Sequence, residues 1–261
     1  MSRFAACLVL LLSGCLSLEN RLVYFPAPAQ TPATPLPAPL ADVDLRLADG
    51  TAIHARWCPH PHAKCVILYC HGNAGNLEGR GALAHEMWRR LGASVLMFDY
   101  PGYGWSKGTP SEAGCYAAAQ AAYDWLVEEM GIAPRDIVLV GESLGGGVAV
   151  ELASRSEHRA LVLIRTFTSL PDVASSLYPW LPVHAWMSNR FDSLARLKKC
   201  RRPIFIAQAD KDAIMPFAHG ERLKDACRGP SAFMVLEGLG HNDPLPVAFF
   251  ERLGSFLEAN P

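Results

Sequence analysis

Ser143 stands between Gly141 and Gly145, after the apolar run Ile137 to Val140 and before Gly146, Gly147 and Ala149. This G-x-S-x-G spacing describes a strand, a sharp turn and a helix, with the serine hydroxyl lifted clear of the sheet. Ser143 must then take a strained, positive φ, and the flanking glycines remove side chains that would collide across so tight a turn. On its own the pattern also fits a glycine-rich loop with an incidental serine, so partners elsewhere must decide. His241, in Gly238-Leu239-Gly240-His241-Asn242-Asp243-Pro244, is a candidate general base. The stretch Ala209-Asp210-Lys211-Asp212-Ala213-Ile214-Met215-Pro216 offers two carboxylates to orient it. Asp212, four residues before Pro216, is favoured over Asp210, which sits at the end of an apolar run. A fourth piece, His71-Gly72-Asn73-Ala74-Gly75-Asn76, places the Asn73 amide to complement the amide of Leu144, two donors for an oxyanion. His71 is a second candidate base, but its place in this loop argues for a structural hydrogen-bonding role.

The elements that must position these groups follow a β-α-β-α rhythm, the pattern of a parallel sheet covered on both faces. A hairpin over Val43 to Leu47 and Thr51 to Trp57, turning at Asp49-Gly50, comes first. Six more strands are expected at Cys65 to Cys70, Ser94 to Phe98, Asp136 to Val140, Ala160 to Ile164, Ile204 to Gln208 and Ala232 to Leu236. Helices are expected over Leu77 to Leu91, Ser111 to Met130, Ser143 to Ser156, Phe217 to Ala226 and Pro246 to Leu257. The stretch Thr166 to Ser193, rich in Pro, Trp, Tyr and Leu, breaks the rhythm and reads as a small cap over the site after the sixth strand. Each candidate residue follows a strand of this sheet, where ligands of open α/β sheets bind.

The chain resembles the α/β-hydrolases from about Leu22 to Leu257. It is most similar to the branch with eukaryotic protein depalmitoylases of the α/β-hydrolase-domain type and bacterial lipoprotein hydrolases. The residues that carry this are Tyr69 to Asn76, Asp99-Tyr100-Pro101-Gly102-Tyr103-Gly104, Gly141 to Gly146, Asp212 with Pro216, and Gly240 to Asp243. The order Ser, Asp, His along the chain is that of the same superfamily. The resemblance implies an α/β-hydrolase fold with a mostly parallel eight-stranded sheet and helices on both faces. It also implies a serine hydrolase acting on acyl esters or thioesters without metal or cofactor. A peptidase or amidase on the same triad is the alternative within enzymes. From another class, the chain would be a lipid-anchored binding protein that kept the fold and lost the activity.

At 261 residues and 50% hydrophobic content the chain can bury one large core. A formal charge of −1 without basic runs makes nucleic acid a poor partner, and no apolar stretch reaches transmembrane length. Residues 1–14 read as a signal peptide: Arg3, an apolar run from Phe4 to Leu12, then Ser13-Gly14. Leu12-Ser13-Gly14-Cys15 resembles a bacterial lipobox, which implies cleavage before Cys15, its lipidation and a place in the cell envelope, with Leu16 pointing to the periplasmic face of the outer membrane. An ordinary signal peptide is the alternative. Residues 15–40, with six prolines between Pro26 and Pro39, read as a semi-rigid tether to a hydrolase domain over 41–261, with Leu22 to Phe25 apolar enough to dock. The expected substrate is a small-molecule or lipid-like acyl compound; the oligomeric state is open. In an oxidising compartment, Cys58–Cys65 and Cys200–Cys227 are expected as disulfides. Cys58, His60, His62 and Cys65 match no familiar zinc spacing.

Overall fold

Apolar β-branched runs form the centre of an eight-stranded sheet in the computed structural model, which describes residues 18–29 and 40–261. The signal peptide, Cys15 and the prolines between residues 30 and 39 lie outside the described residues. The strands are β1 (Ala41–Arg46), β2 (Ala52–Cys58), β3 (Cys65–Cys70), β4 (Ala93–Phe98), β5 (Ile137–Glu142), β6 (Ala160–Ile164), β7 (Ile204–Ala209) and β8 (Ser231–Leu236). Their order across the sheet is β1-β2-β4-β3-β5-β6-β7-β8. The β1–β2 and β2–β4 pairs are antiparallel and the rest parallel.

Every residue of β3 and β4 is buried, because helices cover both faces. Alternate side chains go to opposite layers: Val66, Leu68 and Cys70 to one, Cys65, Ile67 and Tyr69 to the other. The first layer packs against α3 (Glu112–Asp124) and α4 (Leu144–Ala153), the second against α2 (Gly81–Leu91) and α9 (Val247–Ala259). Ser111 caps α3 by accepting from the Gly114 amide. α4 is buried throughout, its glycine-rich first turn letting it lie close to the sheet. The segment after β6 forms three short helices, α5 (Leu170–Leu177), α6 (Val183–Trp186) and α7 (Ser193–Leu197), and α8 (Phe217–Ala226) follows β7.

The amino-terminal boundary needs correction. Residues 18–23 form a helix, α1, and with residues 24–29 make a strap bound to the body, where a semi-rigid tether docked only at Leu22 to Phe25 was expected. The Glu19 carboxylate accepts from the amides of Ser188 (3.0 Å) and Asn189 (2.8 Å), and the Tyr24 hydroxyl donates to Asn189 Oδ1 at 2.6 Å. Tyr24 is buried, and isolated bridges join Pro26 to Gly75 and Pro28 to Gly104. Docking therefore extends past Leu22 to Phe25 into the first prolines, because the strap's backbone finds partners in two glycine turns.

Neither expected disulfide forms; all six cysteines among the described residues are free thiols. Strand order explains the first pair. β4 lies between β2 and β3, with Cys58 opposite Val95 and Cys65 opposite Ala93. Two strand spacings put the cysteines about 9.6 Å apart, beyond the reach of a bridge at about 7 Å. In the second pair each thiol turns back on its own segment, Cys200 to the Arg196 carbonyl (3.9 Å) and Cys227 to that of Leu223 (3.4 Å). Burial pushes the thiols of Cys58, Cys65, Cys200 and Cys227 up to about 11, so they stay protonated and poorly reactive.

Candidate active site

The turn after β5 sets the centre of the site. Ser143 has φ 53° and ψ −119°, a conformation a non-glycine residue holds only where its surroundings enforce it. Here its amide donates to the Ile164 carbonyl (2.9 Å) and its own carbonyl accepts from the Thr166 hydroxyl (2.8 Å). The glycines on either side are sterically required. A Cβ at Gly141 would lie 2.3 Å from the Gly145 carbonyl oxygen, and one at Gly145 would lie 2.0 Å from that of Cys70.

Three loops at the carboxyl edge of the sheet converge on this serine. His241 Nε2 is 3.0 Å from Ser143 Oγ, and its Nδ1 is 2.7 Å from Asp212 Oδ2. A carboxylate there only accepts, so Nδ1 carries the proton and the Nε2 lone pair faces the serine hydroxyl. Asp212 Oδ1 accepts from the amides of Ile214 (2.9 Å) and Met215 (2.7 Å). Burial pushes the Asp212 carboxyl upward, but bonds from His241, Met215 and Ile214 outweigh that and hold it below the ordinary range. It is the charged form that faces the imidazole. Asp210 points elsewhere, accepting from the Gly238 amide at 2.7 Å, and so braces the histidine loop from the side.

The loop after β3 passes against the serine: a methyl at Gly72 would sit 3.4 Å from Ser143 Cβ. The Asn73 side chain is held by the Phe25 amide (3.2 Å) and the Tyr103 hydroxyl (2.8 Å) on Oδ1, and donates to the Val23 carbonyl. Asn73, Ser143 and His241 line one cavity of about 250 Å³, with Phe25, Ile214 and Met215 among its apolar walls. Leu144 begins α4, with its amide at the positive end of the helix. His71 is not placed as a base. It is fully buried, its Nδ1 donates to the Gly72 carbonyl at 2.7 Å, and burial pushes its pKa down to about 4 against the pull of Asp99.

Two positions carry roles that sequence reading missed. Arg165, 1% exposed with φ 48°, donates from Nη1 to the His241 carbonyl at 2.7 Å and pins the histidine loop. Its only sequence signal is a charge ending the apolar run Ala160 to Ile164. The second is Phe25: a strap residue, rather than any residue of 166–193, closes the cavity on that side. The segment after β6 therefore flanks the site and does not roof it. Among the described residues, no group of three His, Cys, Asp or Glu side chains is arranged to hold a metal ion.

The α/β hydrolase fold family matches this chain over residues 66–202. The chain belongs to the α/β-hydrolase family. An uncharacterized Mycobacterium tuberculosis protein is 38% identical over 231 residues, covering 87% of this chain and 82% of that protein. The human alpha/beta hydrolase domain-containing protein 17B is 31% identical over 203 residues, 76% of this chain and 67% of its own length. Among solved structures, an esterase of Pyrococcus furiosus superposes with a TM-score of 0.74 at 19% identity, over 90% of this chain and 98% of that one. That likeness extends to the fold alone.

Proposed function

We propose that this α/β-hydrolase is a serine hydrolase that cleaves acyl esters or thioesters through an acyl-enzyme on Ser143. One observation carries the reading: the unbroken chain of contacts from Ser143 Oγ through His241 to Asp212, at 3.0 and 2.7 Å. Ser143 Oγ attacks the acyl carbonyl carbon while His241 Nε2 takes its proton. The carbonyl oxygen becomes an oxyanion that the amides of Asn73 and Leu144 receive. Collapse breaks the bond to the leaving oxygen or sulfur, which takes the proton from His241. Water, deprotonated by the same imidazole, then releases the acid and restores Ser143. Asp212 holds the tautomer and stabilises the imidazolium. No step calls for a cofactor.

The apolar walls from Phe25, Ile214 and Met215 suit a short acyl or lipid-like chain. The amino-terminal sequence supports a place for the enzyme in the bacterial envelope, anchored by a lipidated Cys15 on the periplasmic face of the outer membrane. A panel of p-nitrophenyl esters of rising chain length, run beside aminoacyl anilides, tests the substrate class. Turnover of esters well above anilides is expected. The reverse ranking would make the enzyme an amidase, and turnover of neither would favour a binding protein on the hydrolase fold.

A further inference from the structure

Among the described residues, eight of the twelve exposed large apolar side chains stand on three neighbouring segments. The strap presents Leu18, Leu22 and Phe25; the segment after β6 presents Leu177, Tyr178, Trp180 and Trp186; Ile214 stands beside the histidine. Trp180 is 76% exposed and Trp186 67%, a costly display of indole surface for a face meant for water. These segments are joined. Glu19 binds the amides of Ser188 and Asn189, two and three residues past Trp186, and Leu18 and Leu22 share one face of α1 by their spacing. At the other end of the strap, Phe25 and Ile214 line the cavity that holds Ser143. The apolar face is thus continuous with the mouth of the site.

The length of chain ahead of this face says what covers it. If Cys15 carries the lipid, as proposed above, two residues, Leu16 and Ser17, separate it from Leu18, a leash of at most about 11 Å. From Leu18 onward the strap is fixed by Glu19, by Asn20 (its side-chain amide donates to the Pro110 carbonyl at 3.1 Å) and by Tyr24. A tether running from Cys15 to residue 40 would have allowed the body to swing away from the bilayer; this docked strap does not. Tyrosine and tryptophan are also the side chains suited to the headgroup boundary, with an apolar body and a polar tip.

We infer that the strap and the Trp180–Trp186 segment form the membrane-docking face of this protein, with a phospholipid bilayer as its occupant. The catalytic mouth then opens at the lipid interface, and the substrates served first are acyl groups borne by molecules in that same bilayer. This inference rests on the proposed lipid anchor for orientation and on the proposed hydrolase chemistry for substrate. The docking itself requires no turnover.

Two measurements on the lipidated full-length protein test it. The first is tryptophan emission in phosphatidylethanolamine–phosphatidylglycerol vesicles in which part of the lipid carries brominated acyl chains. Quenching is expected, and W180F/W186F should abolish most of it. Unchanged quenching in the double variant, or none in the parent, would overturn the docking face. The second compares a vesicle-borne ester with a water-soluble short-chain ester. W180S/W186S should slow the first about tenfold or more, from the loss of buried indole area, and leave the second unchanged. A flexible Gly-Ser insertion between Cys15 and Leu18 should give the same split. Equal rates on both substrates in all variants would refute the inference, as would a dimer that loses its contact in W180S/W186S. Loss of turnover on the soluble ester in the parent protein would instead strike the hydrolase reading, leaving the quenching result to stand or fall alone.

Discussion

Replacing Asp212 by Asn separates orientation from shape. The two amides that now bond Asp212 Oδ1, those of Ile214 and Met215 at 2.9 and 2.7 Å, can bond the amide oxygen of Asn just as well, so the loop keeps its form. The group facing His241 Nδ1 at 2.7 Å then becomes an NH2, which cannot accept. The imidazole must move its proton to Nε2, where it meets the Ser143 hydroxyl with no lone pair to offer. A base in the wrong tautomer costs about 10⁴-fold in kcat, or about 5.5 kcal/mol of transition-state stabilisation. Asp210→Asn is the control. Its hydrogen bond from the Gly238 amide at 2.7 Å survives in an amide oxygen and only an exposed 4.0 Å ion pair with Lys211 is lost, so its turnover should fall less than about tenfold. Initial rates on a p-nitrophenyl ester, with melting curves to establish folding, make the comparison. An Asp212→Asn enzyme within about tenfold of the parent, or one more active than Asp210→Asn, would refute the assignment of the acid.

Asn73→Ala removes three bonds that tie the oxyanion loop to the strap and Tyr103; kcat should fall about 10- to 100-fold with KM little changed. His71 is held neutral by burial, with its pKa near 4, while the unfolded chain takes up a proton below about 6.5. Its contribution to stability is therefore complete above pH 6.5 and lost as pH falls towards 4, about 3 kcal/mol in all. Denaturant titrations of His71→Gln should show a flatter slope over that window than the parent; parallel curves would contradict the buried neutral form. Gly145→Ala forces a methyl to within 2.0 Å of the Cys70 carbonyl oxygen and should abolish soluble folded protein, as judged by expression and circular dichroism.

Most of the sheet could be read in advance because its strands are short, continuous apolar runs closed by glycine loops. The run Ile204 to Gln208 becomes β7 with one residue added, and Phe217 to Ala226 is a helix with those same ends. The serine turn was legible for a local reason, since Gly141 answers a clash with Gly145 within five residues of chain, whereas Gly145 itself makes room for the distant Cys70 carbonyl. Asp212 and His241 were legible as types at strand ends, but the 2.7 Å contact between them joins loops 29 residues apart. What failed depended on which strands become neighbours. Cys58 and Cys65 flank a short loop, yet a strand from later in the chain inserts between theirs. Arg165 and the reach of the strap beyond Leu22 to Phe25 escaped notice for the same reason. A lone arginine after an apolar run does not announce a carbonyl 76 residues away, and a proline-rich segment does not announce the glycine turns that will bind it.

Covalent trapping is the direct test of Ser143 as the nucleophile. The full-length protein is treated with a fluorophosphonate, digested, and mapped by mass spectrometry. One phosphonyl group is expected on the peptide bearing Ser143, with no labelling of Ser143→Ala, labelling slowed by orders of magnitude in His241→Ala, and ester turnover lost in step. A label on any other residue, or a Ser143→Ala protein that turns over ester at the parent rate, would contradict it.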